Sequence, residues 1–189
     1  MRIYLVQHGK AKSKQEDPSR PLTAEGIQES AQTSELFSRT DISVSRILHS
    51  GKDRAQQTAD ILALEIQPRP KIETREGLVP MDDPQQIAEA LAESFDDVVM
   101  VGHLPHLERL TSLLLTEKAD QNSVTFQNSG IVCLERDQRN SWSLRWAITP
   151  QLTGQTARRK PRRALVCDKR VPRSTFQVGK FLQPVVGAH

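Results

Sequence analysis

What the sequence has little of narrows it first. Its 189 residues include only two cysteines, Cys133 and Cys167. They lie far apart and lack a CxxC or Cys/His ligand spacing, so neither a disulfide framework nor a zinc site is indicated. Long apolar runs are missing as well. The apolar start is a few residues long, and later stretches such as 98–101 fall far short of the roughly 20 residues a membrane-spanning helix needs. No secretory signal is visible. These absences make a cytoplasmic chain without membrane attachment the expectation.

Acidic residues all but disappear from the end of the chain. Residues 151–189 carry nine Lys or Arg against the single Asp168, a net charge of +8, whereas residues 1–150 carry 17 basic and 22 acidic residues, a net of −5. The overall charge of +3 therefore averages an acidic domain and a basic tail. Prolines, glycines, the cluster ARRKPRR and the lack of periodicity make the tail, residues 154–189, read as poorly ordered and solvated. Its attraction to nucleic acid or another polyanion is expected to be weak at most. The remaining 1–153 has the length of one ordinary domain, and 37% hydrophobic with 26% charged residues over the full 189 describes a soluble globular protein.

Within that domain two patterns alternate. The opening MRIYLVQHGKA puts Ile3, Leu5 and Val6 in a strand that ends at Gln7, His8 and Gly9. Residues 12–21 are a polar loop. Thr23 caps a helix running to about Ser38, with Ile27, Ala31, Ser34 and Phe37 on its inner side. Residues 45–49 form a short strand. Ser50 is a second candidate N-cap, for a helix whose Ala55, Thr58, Ala59 and Leu62 fall at i, i+3, i+4 and i+7. Residues 71–74 make another short strand. Asp83, Pro84 and Gln86 supply an N-cap, a first-turn proline and a capping-box partner for a helix that buries Ile87, Leu91 and Phe95. Residues 97–101 are the clearest strand, ending at Gly102 and His103. Pro105 opens a helix with Leu107, Leu110 and Leu114 inward. Residues 130–134 and 143–148 close the domain as a hairpin around 137–141. This alternation is an α/β sheet covered on both faces.

Three strand-to-helix junctions carry polar residues: His8, the turn from Ser50 to Arg54, and His103. Ligands of open α/β sheets bind at the carboxyl ends of strands. Glycine after His8 lets a backbone or an anion approach closely. Arg54 falls in a predicted first helical turn, where the macrodipole disfavours a cation. An anion there removes the conflict, and free N–H groups beside a guanidinium fork suit phosphate. Pairing of Arg54 with Asp53 is the plainer alternative.

LVQHGKA, RPLTAEG, SGKDRAQQTADIL and VGHLPHLERL, in that order, resemble the histidine phosphatase superfamily (phosphoglycerate mutase-like), and most of all its small SixA-type phosphohistidine phosphatases. The likeness covers residues 1 to about 150. It implies a three-layer α/β/α sandwich with a mainly parallel sheet, in which His8 is transiently phosphorylated while Arg54 and His103 grip the phosphoryl oxygens. Gln7, Gly9, Arg20 and Ser50 would complete the phosphate site. A neutral imidazole can attack phosphorus in line, which divides one hard displacement into two easier ones. Fixed donors, including His103 if protonated, then stabilise the charge on the equatorial oxygens. No metal and no cofactor is called for, and His106 is expected to be exposed.

One position departs from the resemblance: relatives carry arginine where this chain has Gln7. The amide keeps an N–H donor and loses the charge, which Arg20, Lys10 or Lys12 would have to supply. Asp82 and Asp83 stand where relatives acting on phosphate esters place a proton donor, and Asp83 is already needed as an N-cap. An imidazole leaving group, with a conjugate acid near about pKa 6.5, needs that acid less than an alkoxide does. The expected function is therefore dephosphorylation of a protein histidine, as on a histidine-phosphotransfer domain. A phosphoprotein-binding module weakened in turnover by Gln7, and a phosphatase of small phosphate esters, are the alternatives.

Overall fold

The structure is a computed structural model describing residues 1–40, 42–121 and 123–152. The tail assigned to 154–189 lies outside the described residues.

Six strands and four helices alternate along the chain: β1 (Arg2–Gln7), α1 (Ala24–Ser38), β2 (Arg46–His49), α2 (Asp53–Glu65), β3 (Lys71–Thr74), α3 (Pro84–Ala92), β4 (Val98–Gly102), α4 (His106–Thr116), β5 (Ile131–Arg136) and β6 (Trp142–Ile148). They form one sheet in the order β3-β2-β4-β1-β5-β6. The first four strands in that order run parallel, and β5 and β6 join antiparallel. No helix among the described residues is long and apolar enough to cross a membrane.

The central strands are apolar on both sides because both sides are covered. Side chains alternate across a strand, so Tyr4, Val6, Val99 and Val101 meet Phe37, Ala55, Ala59 and Leu62 of α1 and α2. Ile3, Leu5, Val98 and Met100 meet Ile87, Leu91, Leu107 and Leu110 of α3 and α4 on the other side. The neighbours β1 and β4 thus send their following helices to opposite faces, which opens a crevice at their carboxyl ends. The backbone N–H of His8 donates to the Gly102 carbonyl at 3.2 Å and closes the floor of that crevice.

Local signals set several boundaries. Thr23 accepts from the Gly26 N–H to cap α1, and Asp83 accepts from the Gln85 N–H to cap α3, with Pro84 in the first turn. Asp137 accepts from the N–H groups of Arg139 and Ser141 and shapes the β5–β6 turn.

The inner face of α1 differs from expectation. Ile27 is half exposed and Ala31 is exposed, while Gly26, Ser30, Thr33, Ser34 and Phe37 are buried. The cause is a close approach of backbone to backbone. A Cβ on Gly26 would lie 2.2 Å from the Lys10 carbonyl oxygen, and one on Gly9 would lie 2.8 Å from the Gly26 carbonyl oxygen. Small residues therefore face the chain leaving β1, and the helix turns its aliphatic side outward.

Phe95 is the second difference. It is 83% exposed, because α3 ends at Ala92. Its place is taken by Arg136, whose guanidinium donates to the carbonyls of Leu91 at 2.7 Å and Ala92 at 3.1 Å, and to that of Ser94. A cation there complements the negative end of the helix. The rings of Phe95 and Trp142 each lie 5.6 Å from that guanidinium.

Candidate active site

His8, Arg54 and His103 leave three different elements and meet at the crevice. His8 follows β1, Arg54 is the second residue of α2, and His103 follows β4. All three are largely withdrawn from water, Arg54 being 7% and His103 1% exposed. The junctions singled out in the sequence converge because β1, β2 and β4 are parallel neighbours.

Hydrogen bonding settles the tautomer of His8. Its Nδ1 lies 2.7 Å from the Gly9 carbonyl oxygen, which can only accept, so Nδ1 carries the proton. Nε2 accordingly offers a lone pair and accepts from Arg54 Nε at 3.1 Å. Burial lowers the pKa of His8 to about 4, against the bond to Gly9, and the positive charges of Arg54 and Arg20 push the same way. The ring is neutral near pH 7 and aimed at a guanidinium.

Among the described residues Arg54 has no carboxylate within 4 Å, so the pairing with Asp53 is not made. Burial lowers its pKa, with the charge of Arg20 acting alongside, yet a guanidinium stays protonated.

The ring of His103 stands 4.8 Å from that of His8, and its Nε2 lies 2.6 Å from Ser50 Oγ. Among the described residues its buried Nδ1 has no partner. Desolvation, with His8, Arg54 and Lys52 adding to it, lowers its pKa to about 3. Protonated His103 is therefore not the resting form. The ring donates from one neutral N–H, and a phosphoryl dianion beside it would favour the charged form.

The other expected residues divide. Ser50 reaches His103, but it does not cap α2; that position belongs to Lys52, whose side chain makes no capping bond. Gly9 is not open to an anion, since its N–H donates to Thr58 Oγ1 at 3.0 Å and its missing Cβ makes room for Ser30 and Gly26. Gln7 donates through Nε2 to Asn128 Oδ1 at 2.5 Å, and among the described residues its buried Oε1 has no partner.

Arg20 is held in a left-handed conformation at φ +55° with Nε on the Lys12 carbonyl, and it is the expected substitute cation whose charge reaches both His8 and Arg54. Lys10 is paired with Glu25 instead. Asp82 accepts from the Val79 N–H at 2.9 Å and shares a cavity of about 390 Å³ with Ser50, whereas Asp83 is occupied as the cap of α3.

Two residues were not legible beforehand. Lys52 lies close enough to bear on His103; its place two residues before Arg54 was the available hint. His106, expected to be exposed, is fully buried, and among the described residues both its ring nitrogens lack partners. It opens α4 on the face that packs against the sheet, so burial is imposed by its helix position. Among the described residues no three His, Cys, Asp or Glu side chains gather closely enough to hold a metal ion.

The model of the Histidine phosphatase superfamily (branch 1) matches residues 3–82, a span that holds His8 and Arg54. Comparison with curated proteins gives no match. Among solved structures, the protein histidine phosphatase SixA complexed with tungstate is similar with a TM-score of 0.71 and 24% identity, over 80% of this chain and 99% of that one. A protein of Agrobacterium tumefaciens assigned as a SixA phosphohistidine phosphatase gives a TM-score of 0.65 and 24% identity over 79% and 97% of the two chains. The alpha-ribazole phosphatase of Shigella flexneri gives 0.64 and 16% over 79% and 97%. The chain thus has the histidine phosphatase fold, and over residues 3–82 its sequence matches branch 1 of that superfamily.

Proposed function

We propose that the protein is a phosphatase that removes phosphate from a protein histidine in the cytoplasm, without a metal, through a covalent phosphohistidine on His8. The observation that carries this reading is the state of His8: a neutral ring with its proton fixed on Nδ1 and the lone pair of Nε2 presented beside Arg54.

In the proposed reaction the Nε2 lone pair forms a bond to phosphorus as the bond to the leaving nitrogen breaks in line. Arg54, the His103 N–H and the nearby charges of Arg20 and Lys52 stabilise the charge spread over the equatorial oxygens. Water then attacks the phosphorus of phospho-His8, returning the electron pair to Nε2 and releasing inorganic phosphate. Similarity of fold to a protein histidine phosphatase supports a protein substrate.

A phosphatase of small phosphate esters is the second reading. Asp82 beside Ser50 offers an acid for an alkoxide, and an alpha-ribazole phosphatase shares the fold. The amide of Gln7, turned toward Asn128, is what a binding module with weakened turnover would have.

Incubation with a phosphorylated histidine-phosphotransfer domain, with and without EDTA, separates these readings. The expected result is phosphate release insensitive to EDTA and, on rapid quenching, acid-labile phosphate on His8. His8→Ala should abolish both label and turnover. Turnover surviving in that variant rejects the nucleophile; retained binding without release supports the binding module.

A further inference from the structure

The crevice opens in a direction that the phosphate chemistry does not use. Ser50, whose Oγ lies 2.6 Å from His103 Nε2, lines the cavity of about 390 Å³ that also holds Asp82, and so do Thr74 and Arg75. Those last two residues line a second cavity as well, of about 300 Å³, between α3 and the strands β2 and β4. The Arg75 N–H donates to the His49 carbonyl at 2.8 Å, which ties the junction of the two cavities to the end of β2. One trench therefore leads from His103 past Ser50, Thr74 and Arg75 to the flank of α3.

The far cavity has an apolar floor and a cationic rim. Leu48, Ile87, Leu91 and Met100 make the floor, and among the described residues β3 adds nothing to the core on this face. Leu48 pairs with Glu73 across β2 and β3, so alternation sets Arg46, Leu48, Glu73 and Arg75 on the same face. Glu73 is paired with Lys71 at 3.7 Å, whereas among the described residues neither Arg46 nor Arg75 has a carboxylate within 4 Å. At about 3.3 Å per residue, Arg46 stands about 10 Å back along β2 from His49. Free phosphohistidine held in the crevice does not extend so far. Neighbours of a phosphohistidine in a polypeptide do, about three residues away in an extended chain or about seven in a helix.

We infer that this trench is the docking surface for the substrate protein, and that it takes a segment with acidic and apolar residues beside the phosphohistidine. An apolar side chain enters over Leu48 and Ile87, and carboxylates meet Arg46 and Arg75. This rests on the proposed phosphohistidine reading and deepens it, because it names what favours a phosphoprotein over a small phosphate. Glu76 and Asp82 line the near cavity, so the preference for carboxylates belongs to the far end. A basic segment would set like charges against the two guanidinium groups and be rejected.

The test uses the full chain and three substrates that share one P–N bond. These are free phosphohistidine, a phosphohistidine peptide with Glu and Leu alternating from about three to eight residues away on both sides, and the same peptide with Gln and Ala there. In the wild type the Glu/Leu peptide should exceed the Gln/Ala peptide in kcat/KM by about 10-fold, mainly through KM, and its KM should rise with salt. Arg46→Glu and Arg75→Glu should each remove most of that advantage. Ala90→Trp, which fills the groove from α3, should reduce it through the apolar contact. All three variants should leave free phosphohistidine turnover unchanged, which also shows that they fold. Equal kcat/KM for the two peptides in the wild type overturns the inference, as does an advantage that survives both arginine variants or a loss shared equally by free phosphohistidine. A wild-type protein that turns over none of the three substrates rejects the underlying reading instead.

Discussion

The two helical layers hold the sheet by different means. On one side α3 and α4 bring large aliphatic residues, Ile87, Leu91, Leu107 and Leu110, all buried. On the other, α1 and α2 bring Phe37 and Leu62 together with the small Gly26, Ser30, Thr33, Ser34, Ala55, Thr58 and Ala59. Small residues let α1 lie against the backbone of Lys10, and hydroxyls can then reach it: Thr58 Oγ1 accepts from Gly9 N–H, and Ser30 Oγ lies 3.0 Å from Ser129 Oγ. Both layers supply burial, and the small polar residues of α1 and α2 also set the position of the segment that carries His8.

If that division is right, perturbing the two layers should have different consequences. The largest effect is expected from Gly26→Ala, whose Cβ would meet backbone at 2.2 Å. It should displace the His8 segment, with loss of phosphatase activity and a marked fall in melting temperature. Near-wild-type activity in this variant would break the comparison outright.

Leu110→Ala, in the opposite layer, should cost about 2–5 kcal/mol in urea unfolding. Its kcat, measured well below the unfolding transition, should stay near that of the wild type. Thr58→Val is smaller in stability, about 1–3 kcal/mol for a buried N–H left without its acceptor. It should nevertheless lower kcat more than Leu110→Ala does, because it frees Gly9 beside His8. The reverse order of kcat effects would contradict the positional role of the polar layer.

Acid should act through the crevice. Burial depresses the pKa of His8 to about 4 and of His103 to about 3, and lowers those of His106 and His49. Below about pH 6.5 the unfolded chain takes up protons that the folded protein refuses until its own lower values. Stability is therefore greatest above that pH and should decline as the pH falls from about 6.5 toward 4, read as a falling urea midpoint. His106→Leu should be the mildest change. It removes two unpartnered nitrogens, so stability at pH 7 should hold or rise, and the acid-side decline should become shallower. An unchanged pH profile in this variant would show that His106 takes no part.

Much of this was written locally. Thr23 and Asp83 begin their helices by contacts within three residues, Pro84 stands in the first turn, and β1 and β4 announce themselves as apolar runs. His8, Arg54, His103 and Ser50 were recognisable because strand ends followed by helices must share one sheet edge in a parallel arrangement. Asp82 and Asp83 could be named but not told apart, since only packing puts Asp82 in a cavity with Ser50.

What was misread depended on distant partners. Ile27 has the period of an inner residue, yet α1 turns it outward to admit the Lys10 backbone; Phe95 gives way to Arg136, 41 positions along the numbering. His106 is polar by composition and buried by its place on α4.

The amino-acid sequence alone therefore determined the order of strands and helices, the caps of α1 and α3, and which residues would stand at the strand ends, because these follow from hydrophobic period and short-range hydrogen bonding. The tertiary structure alone decided the chemistry of those residues. A tautomer, a depressed pKa and an unpartnered amide oxygen are set by desolvation and by atoms contributed from β1, α2, β4 and the loop before β5, which no local pattern encodes.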